Sequence, residues 1–366
     1  MRVDYTDHLV ELLCQTEAAA ARLAGADPDR RAATVAEARR ESARWSARLD
    51  ASPLEDATAD AVDGREARGE PLVAGLPEPV GETRGSWART LKLDELPTQE
   101  VAAAEYANLL RTFDAERDIA AWFFARPVEA LAELHTRITA GLVTPEDAGR
   151  PRAVELALHD GAQGKVLYNT PPPERVPELL DELGGWLAGS GGRLGAAALP
   201  GVVVAGIVQE RLLEWQPFTG ANGRVARAAS RVVLRARGID PHGCAVVEHR
   251  LGQDPAGYHL EVAATMRRRD LGPWLEGYAE AVLAALEAAA DAVAPRPLPD
   301  LAARAAEVAA SLASQEALSI ADYARRTGTP LAVAREDLRA LSATGLMHLE
   351  PRSRGLRFRR TDLPLS

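Results

Sequence analysis

The segment that most narrows the fold is Gly201-Val-Val-Val-Ala-Gly-Ile-Val-Gln-Glu-Arg-Leu-Leu213 together with the turn after it. It is too apolar to face water on any side and has to be buried. It reads as a helix, although its β-branched residues leave a strand open. It runs into Trp215-Gln-Pro-Phe-Thr-Gly-Ala-Asn-Gly-Arg-Val-Ala-Arg227, where Pro217, Gly220 and Gly223 mark a turn. Helical spacing returns from Arg224 to Arg237, and Gly238 suits the C′ position beyond that helix. A buried segment, a tight turn and a second helix are thus the centre of the chain.

The turn has the chemistry of an anion site. Gly223 permits backbone conformations that aim consecutive N–H groups at one point. The helix that starts there adds its unsatisfied amides and the positive end of its dipole. Arg224 and Arg227 are three residues apart, so both reach the same place. Asn222, Gly223, Arg224 and Arg227 are therefore candidate phosphate-binding residues, with a di- or triphosphate as ligand. The plainer alternative is a helix start with two exposed arginines in an arginine-rich chain. Lys92 and Lys165 are the only lysines among 43 basic residues, so arginine is a general habit of this sequence.

Bulk composition sets the frame. A length of 366 residues accommodates two or three domains, and 46% hydrophobic with 26% charged residues fits a soluble globular protein. A net charge of −10 argues against chain-wide binding to nucleic acid or membranes and leaves room for a local basic patch. The two cysteines, Cys14 and Cys244, show no disulfide or metal-ligand spacing. The charged N-terminus lacks an apolar signal core, and no apolar run is long enough to span a bilayer. A cytoplasmic protein without membrane contact is expected.

Helical periodicity covers residues 3–24 and 28–49. Residues 51–97, with Pro53, Pro71, Pro77, Pro79 and Pro97, read as a long irregular connection. Helices come next from Thr98 through Phe113, from Pro127 through Ile138, from Pro172 to about Leu187, over about 254–267 and over about 271–292. Lys165–Asn169 reads as a short strand. Pro295-Arg-Pro-Leu-Pro299 is a linker. Beyond it come a helix over 301–314, a helix capped by Ser319, a turn at Gly328, a helix over 330–343 and two strands flanking Pro-Arg-Ser-Arg-Gly. That order is the winged form of helix-turn-helix.

The central stretch resembles the signature of the Fic (Fido-fold) family, His-Pro-Phe-x-Asp/Glu-Gly-Asn-Gly-Arg-x-x-Arg. Pro217, Phe218, Asn222, Gly223, Arg224 and Arg227 fall on matching positions. The buried segment before the motif, the Leu-Arg-Ala-Arg-Gly end of the next helix and Gly272-Pro-Trp-Leu275 are similar to the family as well. Tyr168-Asn-Thr-Pro-Pro-Pro-Glu-Arg-Val-Pro-Glu-Leu-Leu180 resembles the family's target-docking flap and the helix behind it, with Val166, Leu167 and Tyr168 as flap residues. The resemblance implies a mainly α fold. It comprises a helical N-terminal region over 1–97, a Fic core with a short β-hairpin flap over 98–294 and a winged helix over 300–366. It also implies AMP transfer from ATP to a hydroxyl of a target protein, with the motif His as base and the acidic residue holding Mg²⁺.

Three positions depart from that signature. Gln216 stands where the His belongs, and an amide has no basic site near neutral pH; loss of a general base costs about 10²- to 10⁴-fold. Gly220 stands at the acidic position and offers nothing to a hard cation. Ala221 replaces a glycine where the cradle bends. The expectation is a pseudoenzyme that keeps a site for ATP or another nucleotide, without a firm Mg²⁺ site. An active nucleotidyltransferase with an altered mechanism stays open. Ala51-Ser-Pro-Leu-Glu55-Asp resembles the family's inhibitory segment, Ser/Thr-x-x-x-Glu-Gly/Asn, whose Glu pairs with the second motif arginine and blocks the γ-phosphate. That resemblance implies a pair between Glu55 and Arg227, although Ala51 and Asp56 depart from the pattern. His135 and His159 lie far from the motif in sequence and read as structural or solvated. In the wing, Arg352, Arg354, Arg357 and Arg359 alternate with apolar residues and are candidate DNA contacts. Glu336 and Asp337 on the preceding helix favour a protein-interaction or homodimer module instead. A DNA-binding regulator with the core as sensor remains the alternative function.

Overall fold

A computed structural model describes residues 3–73, 98–159, 166–189, 195–294, 303–313, 315–352 and 355–361. The chain divides into two units, Met1–Val293 and Ala294–Ser366. Fourteen α-helices and five short strands are found among the described residues. No helix there is long and apolar enough to cross a membrane.

The first unit is built around α7 (Gly201–Trp215) and α8 (Asn222–Ala236). The β-branched run of α7 is helical because every side of it is covered; its residues from Gly201 to Glu210 are all buried. A helix satisfies its own backbone and so tolerates burial on all faces. A Cβ at Gly206 would sit 2.9 Å from the Tyr278 ring, so α7 and α11 (Gly272–Val293) lie in close contact there. The Trp274 indole N–H donates to the Gly206 carbonyl at 2.8 Å.

Helices α4 (Thr98–Trp122) and α5 (Pro127–Ile138) flank α8 on its other side. Arg231 of α8 pairs with Glu116 of α4 and with Glu248 of α9 (Val247–Gly252), all buried, which ties the three helices together. Helix α9 is short and has no counterpart among the helices expected from periodicity. Helices α1 (Asp7–Ala24) and α2 (Pro28–Leu49) share one hydrophobic core with the rest of the unit, and Leu9, Leu12, Ala43, Ala47 and Leu49 are buried in it. Helix α10 (Pro255–Arg268) is capped by Asp254, whose carboxylate accepts the Gly257 N–H. A hairpin of β1 (Ala157–His159) and β2 (Val166–Asn169) precedes α6 (Val176–Ala188).

The expected irregular connection over 51–97 is in part a helix, α3 (Asp56–Ala67). Its prolines fall outside the helix, at Pro53 and from Pro71 onward, so proline density described the flanks and not the interior. Residues 74–97 lie outside the described residues.

The second unit contains α12 (Ala303–Ser311), β3 (Ala317–Ser319), α13 (Ile320–Thr327), α14 (Leu331–Ala343), β4 (Met347–Arg352) and β5 (Gly355–Arg360). Its sheet is antiparallel in the order β3-β5-β4. Ser319 caps α13 through a full capping box with Asp322. Tyr323, Leu338, Leu341 and Phe358 form a separate core.

Candidate functional site

The turn between α7 and α8 is held by its own side chains. Gln216 ends α7 with φ 42°, and its N–H donates to the Leu212 carbonyl at 3.0 Å. Asn222 accepts the Phe218 N–H at 2.9 Å and donates to the Phe218 carbonyl at 2.8 Å. Its amide is therefore spent on holding the turn from within. Ala221 adopts φ 56°, the left-handed region, despite its Cβ.

His135 lies against this turn although it is far from it in sequence. Its ring stacks on Phe218 at 4.2 Å with an 8° interplanar angle. Nδ1 accepts the Gly149 N–H at 2.9 Å. Burial pushes its pKa down to about 4 against a weaker opposing pull from the Gly220 backbone, so the imidazole is neutral at pH 7. It is fully buried and serves as a strut for the motif phenylalanine.

Arg152 was not singled out by the sequence, and it binds three pieces of the site together. Its backbone N–H donates to the Pro217 carbonyl at 2.8 Å, and Nε donates to the Gln216 carbonyl at 2.7 Å. Nη1 reaches the Val154 carbonyl, while Nη2 reaches Thr170 Oγ1 and the Pro171 carbonyl. One arginine in an arginine-rich chain carries no signal of such a role.

Of the expected flap residues, Val166 is exposed and the Leu167 side chain lies outside the described residues. The Tyr168 hydroxyl donates to the Leu213 carbonyl at 2.7 Å, and the Gln216 amide hydrogen-bonds to the same hydroxyl. Gln216 is thereby turned toward β2. Glu210 of α7 is buried; its Oε2 lies 3.3 Å from Arg211 Nη1, yet neither carboxylate oxygen has a well-formed hydrogen bond among the described residues. Burial raises its pKa to about 7; Arg211 opposes this and Glu214 adds to it.

The two motif arginines are wholly buried rather than exposed. Arg224 faces Glu105 of α4 in a two-point pair: Nη1 is 2.9 Å from Oε1, and Nη2 donates to Oε2 at 3.0 Å. The Ser52 hydroxyl donates to the same Oε2 at 2.7 Å. Arg227 donates from Nε to Ser46 Oγ at 2.9 Å and from Nη2 to the Ser46 carbonyl at 2.8 Å. Nη2 also donates to Asp50 Oδ1 at 2.8 Å, and Asp50 Oδ2 lies 3.5 Å from Arg224 Nε. Burial alone would raise the Asp50 carboxyl, but the charges of Arg227 and Arg224 outweigh it and hold it below the ordinary carboxylate range. A Cβ at Gly223 would collide with the Asp50 carboxylate, so the glycine opens the space that this carboxylate fills.

The acid on Arg227 is therefore Asp50, at the end of α2, and not Glu55. Glu55 is the exposed residue ahead of α3, its N–H 3.5 Å from Gln99 Oε1. The physical reason is direction: α2 runs its last turn past the N-terminus of α8, and the chain has left the cradle by residue 55. The missed signal was in the sequence. Ser46-Ala-Arg-Leu-Asp50 has the same serine-to-acid spacing, with Asp in place of Glu.

The arginines of β4 and β5 divide. Arg357 is exposed, whereas Arg359 donates from Nε to Glu350 Oε1 at 2.5 Å and from Nη1 to the Gln315 carbonyl. Arg360, also on β5, is buried. The outward row of arginines expected from strand alternation is thus broken: Glu350, which faces Arg357 across the sheet register, takes the next outward arginine. Arg354 and the Arg352 side chain lie outside the described residues.

Comparison with known proteins accords with this geometry. Residues 125–234 match the model of the Fic/DOC family. The structure is similar to that of a Fic family protein from Desulfovibrio desulfuricans G20, with a TM-score of 0.60 and 20% identity over 100% of both chains. It is also similar to a Fic domain-containing signaling protein from Bacteroides thetaiotaomicron VPI-5482, with a TM-score of 0.50 and 17% identity over 78% of this chain and 97% of that one. No curated protein sequence matches the chain.

Proposed function

Residues 125–234 being a Fic/DOC-family domain, we propose that the protein is a binder of phosphate-bearing ligands in which AMP transfer is lost or greatly reduced. The observation that carries this reading is the pairing of the cradle arginines with an internal carboxylate. Asp50 occupies the place at the head of α8 where an anion belongs, so the cradle's donors and charges are intact and self-occupied. The proton-accepting half is not intact. Gln216 has no basic site and is hydrogen-bonded to Tyr168, and His135, the histidine stacked on the motif, is buried and neutral. The donor set does not fit Mg²⁺ either. Gly220 has no side-chain oxygen, and no group of three or more His, Cys, Asp or Glu that could hold a metal ion is found among the described residues.

Calorimetric titration tests the reading. Asp50→Ala should bind AMP or ATP at least about tenfold more tightly than the natural chain, and Arg224→Ala added to it should abolish that gain. Robust magnesium-dependent AMP transfer that disappears in Arg224→Ala would overturn the pseudoenzyme part and favour an altered active mechanism.

For the second unit we favour a winged helix that binds a protein partner, a second copy included, over one that binds DNA. The order of α12, β3, α13, α14, β4 and β5 supports the winged-helix reading, and the Arg359–Glu350 pair removes one cation from a DNA-facing wing. Salt-dependent binding to duplex DNA that is lost in Arg357→Glu would reverse this preference.

A further inference from the structure

Resting on the reading of the cradle as a phosphate site, we propose that Glu105 restricts it to a single phosphate group and selects against a triphosphate. The argument is one of charge, reach and depth. The buried cluster contains two guanidinium groups, Arg224 and Arg227, and two carboxylates, Glu105 and Asp50. The two carboxylates are not equivalent. The Glu105 side chain is 0% exposed, bonded at two points to Arg224 and fastened by Ser52. The Asp50 side chain is 17% exposed and belongs to the residue just after α2, so it is the rim group that can leave.

When Asp50 leaves, Glu105 stays. Among the described residues, Arg224, Arg227 and Glu105 then carry one net positive charge, to which the start of α8 adds roughly half a charge. A phosphate monoester brings about −1.5 to −2 charges and balances this closely. A triphosphate brings further negative charge into a buried place that already holds the Glu105 carboxylate, and Gly220 supplies no carboxylate to recruit a metal ion that would offset it. Reach points the same way. The Arg227 guanidinium also interacts with the Tyr258 hydroxyl, but its Nη1 has no well-formed hydrogen bond among the described residues and lies 3.0 Å from where a Gly223 Cβ would stand. The two oxygens of the Asp50 carboxylate leave this donor unused; the third oxygen of a phosphate can accept from it.

A nucleoside monophosphate and free orthophosphate share this chemistry. The test is therefore a metal-free calorimetric titration of the full chain carrying Asp50→Ala with AMP, ATP and orthophosphate, repeated with Glu105→Gln added. Asp50→Asn, which keeps the shape of the side chain, replaces Asp50→Ala if the latter does not melt cooperatively. We expect AMP to bind at least about tenfold more tightly than ATP, and Glu105→Gln to raise ATP affinity about tenfold while AMP changes less than about threefold. Orthophosphate binding as tightly as AMP identifies free phosphate as the ligand; AMP alone identifies a nucleoside monophosphate. ATP binding as tightly as AMP, with a ratio that Glu105→Gln leaves unchanged, overturns the role of Glu105 while sustaining the phosphate site. A cooperatively folded variant that binds none of the three overturns the phosphate site itself.

Discussion

Ala221 and Glu210 are two residues whose environment is at odds with their chemistry, and each gives a direct prediction. Ala221 holds φ 56° where glycine would sit without strain. Ala221→Gly should stabilise the first unit by about 1 kcal/mol, read as a higher urea midpoint, because the left-handed cost of an alanine is removed. Glu210 is buried without a hydrogen bond among the described residues, and its pKa rises from an ordinary 4.5 to about 7. Its folded pKa is raised, so its contribution to stability is fully present below about pH 4.5 and is lost as pH rises through 7. Glu210→Gln should therefore match the natural chain near pH 4 and be more stable at pH 8, by at most about 3 kcal/mol. Thermal melts at the two pH values check this; equal melting temperatures at pH 8 would show that the carboxylate is accommodated in another way. Ala221 was legible in the sequence as a departure from a glycine position, whereas Glu210 was not, because only burial makes a glutamate unusual.

At the scale of elements, local rules worked where the cause is local. Ser319 was legible as an N-cap because a cap needs only the next three residues, and the structure adds the reciprocal bond from Asp322. Ser319→Ala should destabilise the second unit by about 1 kcal/mol, measurable as a lower melting temperature of that unit. Helix α3 was missed because a proline count over a long window averages a helix with its flanks. The acid expected on Arg227 was misplaced by one such segment: it is Asp50 and not Glu55. Spacing alone suits both, and only the path of α2 past α8 tells them apart. Arg152 was invisible for the same reason: its partners at residues 154, 170, 171 and 216 are brought together by the flap and the turn.

For the whole molecule, two separate cores imply two sites of failure. Leu338 is fully buried in the second unit's own core. Leu338→Ala should cost the second unit about 2–5 kcal/mol while leaving the melting of the first unchanged. Calorimetry on the full chain reads both; a loss shared equally by the two units would contradict their independence.

The mainly helical fold, the turn between α7 and α8, and the presence of Gln216 and Gly220 in that turn are legible in the chain alone. Those arise from residue identity and short-range periodicity, which act over a few positions. Tertiary structure decided which charges meet. It buried Arg224 and Arg227, set Glu105 and Asp50 against them, and turned Asn222 and His135 into props of the turn. The ion-pair partners, separated by more than a hundred residues, leave no mark in spacing, because only packing of the helices they stand on brings their side chains together.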